Sequence, residues 1–241
     1  ENATRDLNST FNQAAMCATT NRLYTQLEPG GPLHGLDALT GETITVFEQN
    51  PTGVLLVGDR LVLTGDGPVR AMDRHSGEVI WTSARTSDNV VVQDGFVYVY
   101  LAGGEIACLQ MTDGNEAWQQ TYAELSGPGL GIRLRTVIDT VIDDVLICGE
   151  NSAELPYIHA ISATNGAYLW SRRFSRCAHG ENFLDFFRLN GQIWIRGEYE
   201  TNGDCNWSWL DPLTGATQRE IISKQYVKGC APDSASAKYL I

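Results

Sequence analysis

The sequence predicts an all-β fold, a β-propeller of four-stranded antiparallel blades with about five blades and part of another. Three observations carry this. Five segments align without gaps across a strand, a glycine turn and a second strand. Their spacing is close to the length of one blade. No stretch of useful length repeats its apolar residues at the helical period.

The aligned segments are His34-Gly35-Leu36-Asp37 to Gly41, Arg70-Ala71-Met72-Asp73 to Gly77, Ala107-Cys108-Leu109-Gln110 to Gly114, His159-Ala160-Ile161-Ser162 to Gly166, and Ser208-Trp209-Leu210-Asp211 to Gly215. The five glycines follow one another at intervals of 36, 37, 52 and 49 residues, a period near forty with insertions in the second half. Four residues after the glycine the central copies carry Trp81, Trp118 and Trp170, while the outer copies carry Thr45 and Arg219. Atypical end repeats are expected of such arrays. Gly41, Gly77, Gly114, Gly166 and Gly215, with the three tryptophans, are therefore the expected structural residues, and each Trp is expected to pack between successive blades.

Tight turns also separate a second series of strands, at Thr20-Asn21-Arg22-Leu23, Val57-Gly58-Asp59-Arg60, Gln93-Asp94-Gly95-Phe96, Asp143-Asp144-Val145 and Leu189-Asn190-Gly191-Gln192. Asp-Gly and Asn-Gly between β-branched and aromatic residues are hairpin signals. Each unit thus reads as strands A and B in one hairpin and C and D in another, with blades at about 11–49, 53–85, 88–122, 134–174 and 184–222. This order puts the A–B and C–D turns at one end and the B–C and D–A connections at the other. The long segments Ala123–Gly131, Gly149–Tyr157, Ser175–Asn182 and Gly197–Asn206 all fall at the second end. Irregular loops gathered on one face of a repeat scaffold are the expected place for binding. The candidates there are Arg133, Arg135, Tyr157, Arg176, His179, Glu181, Glu198, Glu200 and Asp204.

At these residues the sequence resembles the PQQ-like, or quinoprotein-like, propeller repeats. In that family a strand ending in Ala-x-Asp leads through x-Thr-Gly to a strand bearing Trp. Ala71-Met72-Asp73-Arg74-His75-Ser76-Gly77-Glu78-Val79-Ile80-Trp81 is the nearest match, and Leu210-Asp211-Pro212-Leu213-Thr214-Gly215 is another. The resemblance covers most of the chain and implies one of two activities: a quinone-dependent dehydrogenase, or a binding propeller similar to the BamB-type periplasmic assembly factors. The dehydrogenases use adjacent cysteines against PQQ and a Glu/Asn/Asp cluster on calcium. Here Cys17, Cys108, Cys148, Cys177, Cys205 and Cys230 are all separated. The expectation is a non-catalytic binding or assembly scaffold without a cofactor or metal, with a PQQ- and calcium-dependent dehydrogenase, or another propeller enzyme, as the alternative.

Composition narrows the partners. A formal net charge of −12 repels a phosphate backbone or an anionic membrane surface. The longest apolar run, about Phe96 to Ala102, is far short of the roughly 18 residues a spanning helix needs. No nucleic acid and no membrane span are expected; a protein partner, or a second chain completing the propeller, is. No H-E-x-x-H, G-x-S-x-G or C-x-x-C is present. His34 and His159 share one repeat position, which reads as a packing slot, and His75 lies in a turn. Gly127-Pro128-Gly129-Leu130-Gly131 precedes a strand, so it lacks the helix a phosphate loop needs.

Cys108 fills the small-residue slot of strand C and is expected to be a buried thiol or a neighbour of Cys148. Cys177 and Cys205 fall on loops at the same end of adjacent blades and are the candidate disulfide. The opening without initiator Met reads as a mature or cut terminus, and with the resemblance the expectation is a periplasmic, cell-surface or secreted protein; the sequons at Asn2, Asn8 and Asn206 fit a pattern that is common by chance. One domain is expected over residues 1–241, incomplete at its C-terminal end, because Ala237-Lys238-Tyr239-Leu240-Ile241 reads as a strand without its blade.

Overall fold

The computed structural model describes residues 16–65, 67–87, 89–101, 104–122, 136–150, 157–173, 186–189, 192–199 and 205–223. The strands among them form five four-stranded antiparallel sheets, each in sequence order. The first holds β1 (Met16–Ala18), β2 (Arg22–Gln26), β3 (Leu33–Asp37) and β4 (Thr43–Phe47). The second holds β5 (Gly53–Val57), β6 (Arg60–Thr64), β7 (Pro68–Asp73) and β8 (Val79–Thr86). The third holds β9 (Val90–Gln93), β10 (Phe96–Leu101), β11 (Glu105–Gln110) and β12 (Glu116–Thr121). The fourth holds β13 (Thr136–Ile142), β14 (Val145–Glu150), β15 (Tyr157–Ser162) and β16 (Tyr168–Arg173), and the fifth β17 (Phe186–Leu189), β18 (Gln192–Tyr199), β19 (Cys205–Leu210) and β20 (Thr217–Ser223).

These are the blades read from the sequence, and the turns explain their edges. Asp94 and Gly95 both take positive φ, 51° and 83°, as a two-residue hairpin of matching twist requires. Asp143 and Asp144 adopt the same region at 47° and 61°, which aspartate tolerates best after glycine and asparagine. At the C–D turns the glycine N–H closes back onto the carbonyl four residues earlier, at 2.9 Å for Gly41, Gly77, Gly166 and Gly215. The Asp that ends strand C holds the same turn with its carboxylate. Asp73 Oδ1 accepts the His75 and Ser76 N–H groups at 2.8 Å, and Asp37 and Asp211 repeat the arrangement. Those backbone donors hold the Asp37 and Asp73 carboxyls below the usual carboxylate range.

Two expected loops are shorter than the sequence suggested. β14 runs on to Glu150 and meets Tyr157 across the ladder, and β18 runs on to Tyr199 and meets Cys205. A bulge between Arg196 and Tyr199 absorbs the polar stretch that reads as loop. Tyr157 and Glu198 are therefore strand residues.

The chain divides into two compact units, Glu1–Asp88 with Met111–Asn115, and Asn89–Gln110 with Glu116–Ile241. In the first, Tyr24, Leu33 and Phe47 of one sheet bury against Val54, Leu61, Leu63 and Met72 of the next. In the second, Tyr98, Ile106 and Cys108 pack on Leu146, Cys148 and Ile161, and Ile147, Ala160 and Trp170 pack on Ile193 and Leu210. Central strands such as β14 are covered on both faces, so they read as unbroken apolar runs. The outer strand β8 alternates buried and exposed residues.

Within each unit a sheet turns one face, called leading here, toward the chain that follows it, and the opposite face is the trailing one. On the leading faces Ala71, Cys108 and Ala160 stand opposite Trp81, Trp118 and Trp170. Each indole N–H donates to a carbonyl of the succeeding C–D turn: Trp81 to Met111 at 2.9 Å, Trp118 to Ala163 at 2.9 Å and Trp170 to Pro212 at 2.8 Å. The same rings lie flat on Gly114, Gly166 and Gly215, where an added Cβ would stand 2.6–2.7 Å from an atom of the ring or, at Gly166, of Gln120. The first sheet has Thr45 in the Trp position and solves the junction differently. Tyr24 donates its hydroxyl to the Arg74 carbonyl at 3.4 Å, and Phe47 covers Gly77.

Candidate binding face

In the first unit a D–A and a B–C connection together form a candidate site. Chain leaving β4 passes through Glu48-Gln49-Asn50-Pro51 before β5, and Leu33 N–H holds the Gln49 carbonyl at 3.0 Å. Thr52 N–H extends the next ladder by bonding the Thr64 carbonyl at 2.9 Å. β6 then turns toward β7 with Gly65 at φ 108° and Gly67 at φ 102°. A side chain at Gly65 would meet Thr52 Oγ1 at 1.7 Å, so this corner admits glycine alone.

These segments enclose a cleft of about 290 Å³ lined by Glu48, Gln49, Asn50, Pro51, Leu63, Thr64, Pro68 and Arg70. Arg70 bonds the Pro68 carbonyl through Nε at 3.4 Å, and its Nη2 lies against Gly67. Gln49 Oε1 is buried without a hydrogen-bond partner, an unmet acceptor in the cleft wall. A guanidinium, an unmet amide carbonyl and the exposed Glu48 and Asn50 on one rim suit hydrogen bonding to a polar polypeptide segment.

Of the residues singled out from the sequence, Tyr157 stands opposite Glu150 and Arg173 in the fourth sheet, and Glu198 lies in the bulged stretch of β18. Arg133, Arg135, Arg176, His179, Glu181, Glu200 and Asp204 lie outside the described residues. So does Cys177, and with it the candidate bridge to Cys205. Gln49 and Arg70 were not singled out as site residues. The available signal was the pair of Pro/Gly corners, Asn50-Pro51 and Gly65-Asp66-Gly67-Pro68, which bring two connections together.

The quinone alternative meets the cysteines directly. Cys17, Cys108 and Cys148 are thiols, and Cys108 and Cys148 sit within one buried cluster between sheets. Burial pushes the Cys108 thiol up to about 12. Among the described residues no three His, Cys, Asp or Glu side chains converge on a cation-sized space.

Comparison with known proteins follows the same line. A family profile described as outer membrane protein assembly factor BamB, of the PQQ-like repeat type, matches residues 29–199. The crystal structure of BamB from Moraxella catarrhalis is similar at a TM-score of 0.57 and 20% identity, over 95% of this chain and 67% of that one. The computationally designed Ika8 protein gives a TM-score of 0.59 at 14% identity, over 86% of this chain and 61% of its own. Quinohemoprotein alcohol dehydrogenase from Comamonas testosteroni gives 0.57 at 15% identity, over 86% of this chain and 42% of its own. The chain therefore spans between about two fifths and two thirds of these structures. No curated protein matches the sequence.

Proposed function

We propose, for a chain that belongs to the PQQ-like propeller-repeat family described as outer membrane protein assembly factor BamB, a non-catalytic role as a protein-binding or assembly scaffold acting outside the cytoplasm. The partner is a polypeptide segment seated on the B–C and D–A face. The observation that carries the reading is the cleft between 48–51 and 63–70, where Gln49 Oε1 lacks a partner beside Arg70 and the exposed rim residues Glu48 and Asn50. Several other polar groups are spent on structure. The Trp81, Trp118 and Trp170 indole N–H groups, the Tyr24 and Tyr122 hydroxyls and the turn aspartates bond backbone of the same or the succeeding sheet. The outer-membrane description of the family supports the extracytoplasmic setting.

The test places a photo-crosslinking residue at Asn50 on the cleft rim, or at Thr40 on the opposite C–D turn, in the producing cell. An adduct of defined mass from Asn50 and none from Thr40, reduced about tenfold or more by Arg70→Glu, is expected. Equal adducts from both positions, or dye reduction when PQQ and calcium are supplied to the pure protein, overturn the reading.

A further inference from the structure

The C–D turn of the fourth sheet carries Asn165-Gly166, where the other four turns place Thr40, Ser76, Asp113 and Thr214 before the glycine. Each of these side chains does the same job, its oxygen accepting the N–H two residues on. Thr40 accepts from Glu42 at 3.3 Å, Ser76 from Glu78 at 3.2 Å, Asp113 from Asn115 at 2.9 Å, Asn165 from Ala167 at 3.0 Å and Thr214 from Ala216 at 3.3 Å. Asparagine is not needed for that bond, since Asp113 makes it with a carboxylate. What Asn165 adds is a primary amide whose carbon the next backbone nitrogen can attack, and the missing Cβ of Gly166 leaves that nitrogen unhindered.

In the folded turn both reaction partners are engaged elsewhere. Gly166 N–H donates to the Ser162 carbonyl at 2.9 Å, and Asn165 Oδ1 faces the Ala167 N–H. The third sheet holds the glycine from the other side. Tyr122 donates its hydroxyl to the Gly166 carbonyl at 2.6 Å, the Trp118 ring and Gln120 lie over the Gly166 Cα, and the Trp118 N–H bonds Ala163 of the same turn at 2.9 Å. Asn165 is exposed to water while Gly166 is buried.

We propose that Asn165 is a deamidation site guarded by the junction of the third and fourth sheets, and that its isoaspartyl product makes an opening of that junction permanent. When the turn opens, the Gly166 nitrogen gives up its proton to base and attacks Asn165 Cγ. The N–Cγ bond forms, the Cγ–Nδ2 bond breaks and ammonia leaves, giving a cyclic imide that water then hydrolyses at either carbonyl. Hydrolysis at Cγ gives aspartate, and the turn recloses as it does around Asp113. Hydrolysis at the backbone carbonyl routes the chain through Cγ, an isoaspartate whose main chain is one carbon longer. The extra atom shifts Gly166 away from both the Ser162 carbonyl and the Tyr122 hydroxyl. The inference is independent of the cleft described above.

Incubating the full chain at mildly alkaline pH, with peptide mapping that separates asparaginyl, aspartyl and isoaspartyl forms, tests this. In urea, Asn165 should react at a rate similar to Asn190 and Asn202, which also precede glycine. In the native protein it should react about a hundredfold more slowly, because opening gives up the bonds to Ser162 and Tyr122, each worth up to about tenfold in open population, and modification tracks that population. Tyr122→Phe should raise the native rate about threefold to tenfold and leave the urea rate unchanged. The isolated isoaspartyl protein should unfold at lower urea than the wild type, while Asn165→Asp keeps the wild-type midpoint. A native rate equal to the urea rate overturns the proposal. So does an unchanged rate in a Tyr122→Phe protein of wild-type circular dichroism, an isoaspartyl protein with the wild-type midpoint, or an Asn165→Asp midpoint as low as the isoaspartyl one.

Discussion

Gly166→Ala and Gly41→Ala make the same covalent change at the same turn position, with φ 74° at both. An L side chain in that region costs about 1–2 kcal/mol. At Gly41 that is the whole effect, because no described residue stands within 4 Å of the added methyl. At Gly166 the methyl would stand 2.6 Å from Gln120 Cγ and 2.7 Å from Trp118 Cε3. Trp118 cannot retreat without giving up its 2.9 Å bond to the Ala163 carbonyl. Forcing a methyl group into packed surroundings adds about 1–3 kcal/mol, so Gly166→Ala should cost about 2–5 kcal/mol against about 1–2 for Gly41→Ala. Urea unfolding followed by circular dichroism reads the difference. With a slope near 2 kcal/mol per molar, the Gly166 variant should unfold about 0.5–1.5 M earlier than the Gly41 variant. Equal midpoints would refute the idea that the indole is seated on the turn.

Trp118→Phe should cost about 1–3 kcal/mol by leaving the buried Ala163 carbonyl unpaired, and Trp118→Ala about 3–5 kcal/mol, both measured by the same unfolding; a neutral Trp118→Phe would show that the N–H is dispensable. Cys108, raised to about 12 by burial, should resist disulfide reagents in the native protein at neutral pH and react on unfolding, as read by peptide mass mapping. The folded thiol holds its proton to higher pH than the unfolded one at about 9.0, so its contribution is fully present below pH 9.0 and is lost as pH rises toward 12; Cys108→Ala should flatten the alkaline limb of a stability–pH curve. Asp37 and Asp73 run the other way: their lowered values mean stability present above the ordinary carboxyl range and lost on acidification, and Asp73→Asn should reduce that acid dependence.

The sheet register was legible because it is local. The turn glycine, the Asp two residues beyond the small strand-C residue and the Trp four residues past the glycine lie within about a dozen positions, and together they fix which residues face each other across β7 and β8. The first sheet was not legible in that detail. Tyr24 and Phe47 are separated by β3, and nothing in their neighbourhood says that they replace a missing Trp. The cleft escaped for a related reason: Gln49 lies in the connection after β4 and Arg70 in β7, and only tertiary packing unites them. Tyr157 and Glu198 read as loop because polar residues fill strand ends whose ladders continue by backbone bonding.

The junction bonds run in one direction along the chain, from an aromatic made earlier to a turn made later. A polypeptide emerging from the ribosome would therefore always present a completed indole or phenol waiting for a receiver not yet synthesised. Tyr24 is ready before Arg74 exists, Trp118 before Ala163, Trp170 before Pro212. Assembly then proceeds as a series of captures, each newly finished hairpin being taken up by the sheet before it. An interruption of synthesis between sheets would leave an unmated aromatic surface at the growing end, the part of the nascent chain most in need of a chaperone.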